Sequence, residues 1–363
     1  MAEFQKADGM NYAPQGKANA VVGKGEFRFA AIGLDHGHIY GMCNGLIEAG
    51  AELGWVYDPD PKQVETFRLK YPGAKVARAE REIFDDATVR LVASAAIPAD
   101  RCALGLRALD AGKDYFSDKP LLTTLEQLTA ARAKVKATGR KYAAYYSERL
   151  HSEAGVYAGE LIQNGAIGRV IQVAGLGPHR ISLTTRPPWF FEKAQYGGIL
   201  CDIGSHQIEQ FLFYTGANNA RILHSKVGNY HHPDRPGLED FGDATLVADN
   251  GATQYFRVDW FTPDGLGSWG DGRTFILGTD GCIELRKYLD LARDPEPDHV
   301  YLVDHKGEHH IPVHGKVGYP FFGQLILDCL NRTENAMTQA HAFKVMELAI
   351  QAEMQAVNVT CEL

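Results

Sequence analysis

Asp202 and His206 stand four residues apart in the run Gly197-Gly-Ile-Leu-Cys-Asp-Ile-Gly-Ser-His-Gln207. If the chain is helical from Cys201, this spacing sets a carboxylate and an imidazole on one face, where they could take up and pass on a proton. The same spacing occurs on exposed, ion-paired helix edges, so it does not decide the matter alone. Ile208, Phe211, Leu212 and Phe213 follow at helical spacing and would seat the helix on a core, while the paired glycines leave room for a ligand.

A second constellation lies near the N-terminus. Phe27-Arg-Phe-Ala-Ala-Ile-Gly33 reads as a short apolar strand entering the turn Leu34-Asp-His-Gly-His38. Ile39, Met42, Cys43, Leu46 and Ile47 then mark one face of a helix ending near Gly50. Such a turn offers free N–H groups and a helix dipole to a pyrophosphate. Gly33 is placed for it, but Asp35 and His38 stand where the G-x-G-x-x-G pattern asks for glycine, with His36 and Gly37 between them. An ionised Asp35 repels phosphate unless it caps the helix with its carboxylate turned away, His36 or His38 then offsetting charge. The two imidazoles could equally satisfy nearby carbonyls. No third ligand is identifiable beside them, so no metal is expected. Asp58, at the end of a strand over Leu53 to Tyr57, is where a carboxylate accepts both ribose hydroxyls of an adenosine, or it caps the next helix ahead of Pro59. Pro59-Asp60 brings no Arg for a 2′-phosphate, which favours NAD over NADP.

These residues need a frame. Strands at 91–95, 114–117 and 141–145 alternate with helices at 99–111 and 124–138, which implies parallel pairing and a doubly wound sheet of the Rossmann kind. After a helix at 153–164 come strands with period-two character at 170–175, 221–228, 244–248, 253–260, 274–277, 282–286 and 299–303. With helices at both ends of that run, an open, largely antiparallel sheet covered on one face is expected. A last helix spans 340–357 with a buried stripe of packing residues. The expected class is α/β: a flexible arm at 1–26 that lies over the body or is partly an expression remnant, a nucleotide-binding domain at 27–147, and an α+β domain at 148–363.

Composition narrows the function. The chain has 363 residues, 45% hydrophobic and 23% charged, the balance of a globular protein of about two domains. Its net charge of −8 is spread along the chain, which argues against nucleic acid and anionic membranes and leaves small-molecule chemistry. Cys43, Cys102, Cys201, Cys282, Cys329 and Cys361 are far apart with no C-x-x-C pair, so reduced thiols in a cytoplasm are expected. No signal pattern opens the chain, and no run approaches the roughly 18 apolar residues of a membrane span.

Three pieces now stand in order: Gly33 to Asp58, Ala111-Gly-Lys-Asp-Tyr-Phe-Ser-Asp-Lys119-Pro120, and Gly197 to His206. Together they resemble the glucose-fructose oxidoreductase, inositol dehydrogenase and rhizopine catabolism (Gfo/Idh/MocA) family from residue 27 onward. The family's A-G-K, E-K-P and D-x-G-x-H series is matched in order, with Asp118 where Glu is usual. Gly278-Thr-Asp-Gly281 is similar to its late glycine pair. The resemblance implies an N-terminal nicotinamide-binding domain, a C-terminal open sheet used to form a homodimer or homotetramer, and redox chemistry at a secondary alcohol carbon of a sugar or polyol. It also implies that Lys119 lies beside the nicotinamide and the reacting oxygen, with Asp202 and His206 facing it from the other domain. Ile97-Pro98-Ala99 corresponds to the family's T-P-N turn, which puts Pro98 at the cofactor, and Arg101 stands near the place of a frequent His.

The residue types suit that chemistry. Moving a hydride from a carbinol requires removing the hydroxyl proton: His206 could accept it, Asp202 could orient or stabilise the imidazolium, and Lys119 could offer positive charge to the oxygen. Pro120 restricts the backbone just after Lys119. His179, Arg186, Trp189 and Tyr196 precede the glycine pair and could bind a sugar ring or pack a seam. Tyr145, Tyr146, Glu148 and Arg149 are weaker candidates of the same kind. His231-His232 and His309-His310 read as solvated loop pairs. Two alternatives remain: a hydrolase or lyase that oxidises its substrate transiently, and a catalytically silent nucleotide or sugar sensor.

Overall fold

The computed structural model describes residues 9–16 and 19–360. They divide into two compact units, one of Met10–Tyr145 with Gly318–Phe343, the other of Gly9, Tyr146–Val317 and residues 344–360.

The first unit alternates strands and helices: β1 (Arg28–Ile32), α1 (His38–Glu48), β2 (Glu52–Tyr57), α2 (Pro61–Lys70), β3 (Lys75–Val76), α3 (Glu80–Phe84), β4 (Val89–Ser94), α4 (Pro98–Asp110), β5 (Asp114–Asp118), α5 (Leu125–Thr138) and β6 (Tyr142–Tyr145). Among the described residues its sheet has six strands in the order β3-β2-β1-β4-β5-β6, paired in parallel. That is the Rossmann order, with the direction of winding reversing between β1 and β4. Phe29 to Ile32 and all of β5 are buried, as expected where helices cover both faces. Local chemistry sets the helix ends. Asp60 accepts from the Lys62 amide and Pro61 opens α2, while Thr124 accepts from Gln127 at the start of α5 and Gly139 closes it with φ +65°.

Two findings differ from the sequence reading here. Chain order would give residues 318–343 to the C-terminal domain, but they group with the Rossmann sheet. The unforeseen helix α11 (Pro320–Asn331) sets Phe321 and Phe322 against Phe116, and Phe322 also meets Tyr145. Arg332 clasps Asp114 with two bonds of 2.7 and 2.6 Å, and the Gln339 amide pairs with both backbone groups of Tyr142 on edge strand β6. In the stretch expected to be a flexible arm, Met10, Tyr12 and Pro14 are buried. The amides of Gly16 and Asn19 bind Glu48, and the amide of Val21 binds Ala49. Residues 10–16 and 19–22 are thus tied to α1, while 1–8 and 17–18 lie outside the described residues.

The second unit holds α6 (Ser147–Leu150), α7 (Glu153–Gln163), β7 (Val170–Pro178), α8 (Lys193–Tyr196), α9 (Ile199–Asp202), α10 (Gly204–Thr215), β8 (Ala220–Gly228), β9 (Phe241–Ala248), β10 (Thr253–Asp259), β11 (Arg273–Gly278), β12 (Gly281–Arg286), β13 (His299–Asp304), β14 (Gly307–Pro312) and β15 (Val357–Asn358). Helix α12 (Gln339–Met354) begins in the first unit and continues into this one. The strands form one sheet in the order β14-β13-β12-β11-β7-β10-β9-β8-β15. Only β7–β10 and β15–β8 pair in parallel. Phe256, Ile276, Ile283 and Leu302 are buried on one face; Tyr255, Phe275, Leu277 and Val303 are exposed on the other. The final helix ends at Met354 rather than 357, and β14 was not foreseen. His309-His310 therefore lies on a strand, not in a loop, with His310 stacked on Tyr301. His232 is likewise buried and bound to Asp240 at 2.9 Å.

Candidate active site

In the first unit, the turn after β1 is stitched to the end of β4: the His36 amide donates to the Ala95 carbonyl (2.9 Å) and the Ala95 amide to that of Gly33 (3.0 Å). Gly33 has φ +75°, and a Cβ there would meet the Ala96 Cβ at 2.7 Å, so only glycine fits. Gly37 precedes α1, and its N–H has no acceptor among the described residues, leaving one donor at the helix N-terminus for a phosphate. A side chain at Gly37 would collide with Met10 and Asn11, a second reason for glycine.

Asp35 does not cap α1, as the sequence suggested it could; the amide of His38, the first residue of the helix, donates instead to His36 Nδ1 (3.2 Å). The Asp35 carboxyl lies near the Ile97 backbone, at the turn where Pro98 opens α4. Burial, then the neighbouring Asp58, push the Asp35 carboxyl up from its usual range. Asp58 ends β2 with both oxygens fixed, one accepting from the Leu34 amide (2.7 Å) and the other from that of Asp60 (2.8 Å). Asp58 lines a cleft of about 490 Å³ with Tyr57, Pro59, Val64 and Ala77. Arg68 and Arg78 line it too, two cations that the adjacent sequence at Pro59-Asp60 does not reveal. A carboxylate anchored there can accept ribose hydroxyls. The free donor, the bare Gly33 and the anchored Asp58 fit a dinucleotide.

Below this turn lies a charge network that the motif reading missed. Asp118, fully buried, accepts from His38 Nδ1 (2.9 Å) and from the Arg101 guanidinium (3.1 Å), with His36 Nδ1 at 3.5 Å. Arg101, also fully buried, reaches the Ala96 carbonyl (2.7 Å), the Pro120 carbonyl (3.2 Å) and that of Lys119. Burial alone would raise the Asp118 carboxyl, but His38, Arg101 and His36 hold it far below the ordinary carboxylate range. For His36, burial and then His38 hold the imidazole well below its usual range, with Lys119 and Arg101 adding to this and Asp118 opposing it. His36 is therefore neutral and His38 Nδ1 is engaged, so neither offers the charge compensation to phosphate that the sequence suggested. Asp118 also supplies the third potential metal ligand that the sequence lacked, with donor atoms of the three residues within 4.8 Å of one another. The cations of Arg101 and Lys119 work against a metal ion there. Lys119 itself is buried, and its peptide bond to Pro120 is cis.

In the second unit, Asp202 closes α9 and His206 sits in the first turn of α10, with Ile203 between them in helical conformation (φ −80°, ψ −38°). The Ser205 hydroxyl donates to the Asp202 carbonyl (2.8 Å) and pins the junction. Both residues are buried, and the His206 ring lies 6.4 Å from that of Tyr146. Gly197 and Gly198 both have φ +92°, and the Glu353 carboxylate occupies the space a side chain at Gly198 would need. The α9 amides of Ile199 and Leu200 donate to Glu239 (2.9 Å) and Glu353 (3.1 Å).

The four residues before the glycine pair divide by chemistry. His179 stacks near Trp260 and Trp269, with its Nδ1 3.1 Å from the Gly177 carbonyl. The Arg186 guanidinium lies over Phe190 and Trp260. Trp189 is buried beside Phe190. The Tyr196 hydroxyl accepts from the Glu239 amide (3.0 Å) and donates to the Gly237 carbonyl (3.3 Å), so Tyr196 secures the turn rather than presenting a free hydroxyl.

This fold and these motifs define an oxidoreductase class. Residues 19–146 match the oxidoreductase family with NAD-binding Rossmann fold, and residues 156–284 match the GFO/IDH/MocA C-terminal domain. The chain belongs to that family, as the resemblance implied. Among its relatives, scyllo-inositol 2-dehydrogenase (NAD(+)) of Bacillus subtilis (strain 168) is 26% identical over 265 residues, 71% of this chain and 73% of that one. Inositol 2-dehydrogenase of Acidothermus cellulolyticus is 28% identical over 72% of each chain. A crystal structure from Erwinia carotovora atroseptica SCRI1043, provisionally described as an oxidoreductase, is 55% identical, covers 92% of this chain and 100% of its own, and superposes with a TM-score of 0.90.

Proposed function

We propose that the protein is an NAD-dependent dehydrogenase of a secondary alcohol carbon in a sugar, sugar derivative or polyol. The observation that carries this reading is Asp58, its two oxygens held by backbone amides beside an open cleft at the end of β2. Its carboxylate would hold the ribose, with Gly33, Asp35, His36, Gly37, His38 and Pro98 forming the walls and donors on the phosphate side. Bound NAD supplies the hydride acceptor. His206 takes the hydroxyl proton, Asp202 stabilises the imidazolium, and Lys119 stabilises negative charge on the substrate oxygen. His179, Arg186 and Trp189 bind the polyhydroxylated substrate, and Tyr196 holds the turn that carries Asp202.

The inositol dehydrogenase relatives support a polyol or sugar as substrate. A cytoplasmic site of action is part of this reading; no helix among the described residues is long and apolar enough to cross a membrane. We assign assembly into a homo-oligomer to the exposed sheet face. Phe275 pairs through Ala174 with Tyr255, and Leu277 pairs through Cys282 with Val303, which makes one apolar ladder in solvent.

His206→Ala tests the assignment of the proton acceptor. It should abolish turnover while NAD still raises the melting temperature as in the parent protein. Turnover at the parent rate would reject the role.

A further inference from the structure

One buried charge pair in the second unit has no part in the chemistry above. Glu148, on α6, and Lys287, just after β12, are 3% and 1% exposed, and the Lys287 ammonium donates to Glu148 Oε2 at 2.8 Å. A buried ion pair is by itself weak evidence of a stabilising role, since the desolvation of both charges offsets their attraction.

Its other contacts lead to His206. The same Glu148 oxygen accepts from the side-chain amides of Gln207 (3.0 Å) and Gln210 (3.4 Å). Gln210 donates in turn to the His206 carbonyl (3.0 Å) and accepts from Thr274 (3.1 Å), while Gln254 donates to the Gln207 carbonyl (2.6 Å). Gly175 and Gly177 on β7 clear the space for Gln207, since a side chain at either would meet its amide. Glu148 Oε1 has no hydrogen-bond partner among the described residues. Lys287, His206 and His179 are the cations or potential cations that act on this carboxylate; Tyr214 also feels it, and adjacent Arg149 is committed to Glu209 (2.8 and 2.9 Å). Burial would raise the Glu148 carboxyl, but Lys287, then His206 and His179, hold it well below the usual carboxylate range, so it is ionised.

We propose that Glu148 is the positioning residue of His206: through Gln207 and Gln210 it fixes the first turns of α10, and its negative charge strengthens the imidazole as a base. This rests on the reading of His206 as proton acceptor. A carboxylate stabilises imidazolium, so removing its charge makes the imidazole release its proton at lower pH.

The test is a pair of pH titrations on the NAD-saturated protein: kcat/KM with the best substrate among myo-inositol, scyllo-inositol, D-xylose and D-glucose, and the His206 ring resonances by NMR, which need no turnover. Glu148→Gln should move the acid limb and the resonance midpoint down by about one pH unit and lower kcat, leaving KM for NAD unchanged. Glu148→Asp, which keeps the charge but withdraws it, should fall between. If the Gln variant does not fold, a smaller downward shift in the Asp variant is the expected result. An unmoved midpoint in the folded variant overturns the proposal. If His206→Asn retains the parent acid limb, the reading of His206 fails instead, whatever Glu148 does.

Discussion

Asp118 stands where the resemblance implies a glutamate, one methylene longer, and segments distant in sequence meet at it. His36 and His38 come from the turn after β1, Arg101 from α4, and the Lys119 and Pro120 carbonyls from the strand end. Arg101 thereby ties the backbone of Lys119 to the phosphate turn, giving a buried ammonium a fixed point of attachment. Removing one partner of such a pair leaves the other charge buried and uncompensated. Asp118→Asn should therefore lower folding stability by about 3–5 kcal/mol, read by denaturant unfolding. Unchanged stability would mean that the contacts of Arg101 with carbonyls suffice to hold its charge.

The turn ahead of α9 shows what a whole element depends on. Two carboxylates, Glu239 and Glu353, cap its free amides, a favourable place for negative charge, but they share one ammonium, that of Lys193. Burial, then the neighbouring Glu239, push the Glu353 carboxyl up to about 8. The unfolded chain releases that proton near the ordinary glutamate range, about 4.3. Between these values the unfolded state binds fewer protons than the folded one, so stability falls as pH rises from 5 to 8. Glu353→Gln should flatten the decline of melting temperature over that window; an identical decline in both proteins would contradict the assignment. Asp202, His206 and the glycine pair stood out as candidates because they are close in sequence, and Asp58 because it closes a strand of clear apolar pattern. Glu353 did not, since it reaches Gly198 from a distant helix. The join at Ile203 leaves no mark on helical periodicity, and the local pattern of α11 does not tell which unit its buried face of Phe321, Phe322, Leu325 and Ile326 packs on. Arg101 had a visible position, but only packing reveals that it serves Asp118.

At the scale of the molecule, the Rossmann unit carries Lys119 and Asp58, while the sheet unit carries Asp202 and His206. The sheet unit leaves Tyr255, Phe275, Leu277 and Val303 facing solvent in a single chain. On the proposed reading this apolar ladder is where copies of the chain meet, and charge placed in it should oppose association. Phe275→Asp with Leu277→Lys should convert the oligomer to a monomer in sedimentation velocity, whereas a parent protein that is already monomeric would remove the case for assembly through this face. The central claim is net hydride transfer from an alcohol carbon to NAD. It is tested most directly by following nicotinamide absorbance while quantifying product across sugars, inositols and their glycosides. The account predicts one NADH formed per alcohol oxidised, with NAD far ahead of NADP; turnover of a glycoside without net NADH, or no turnover of any alcohol by protein that binds NAD, would contradict it.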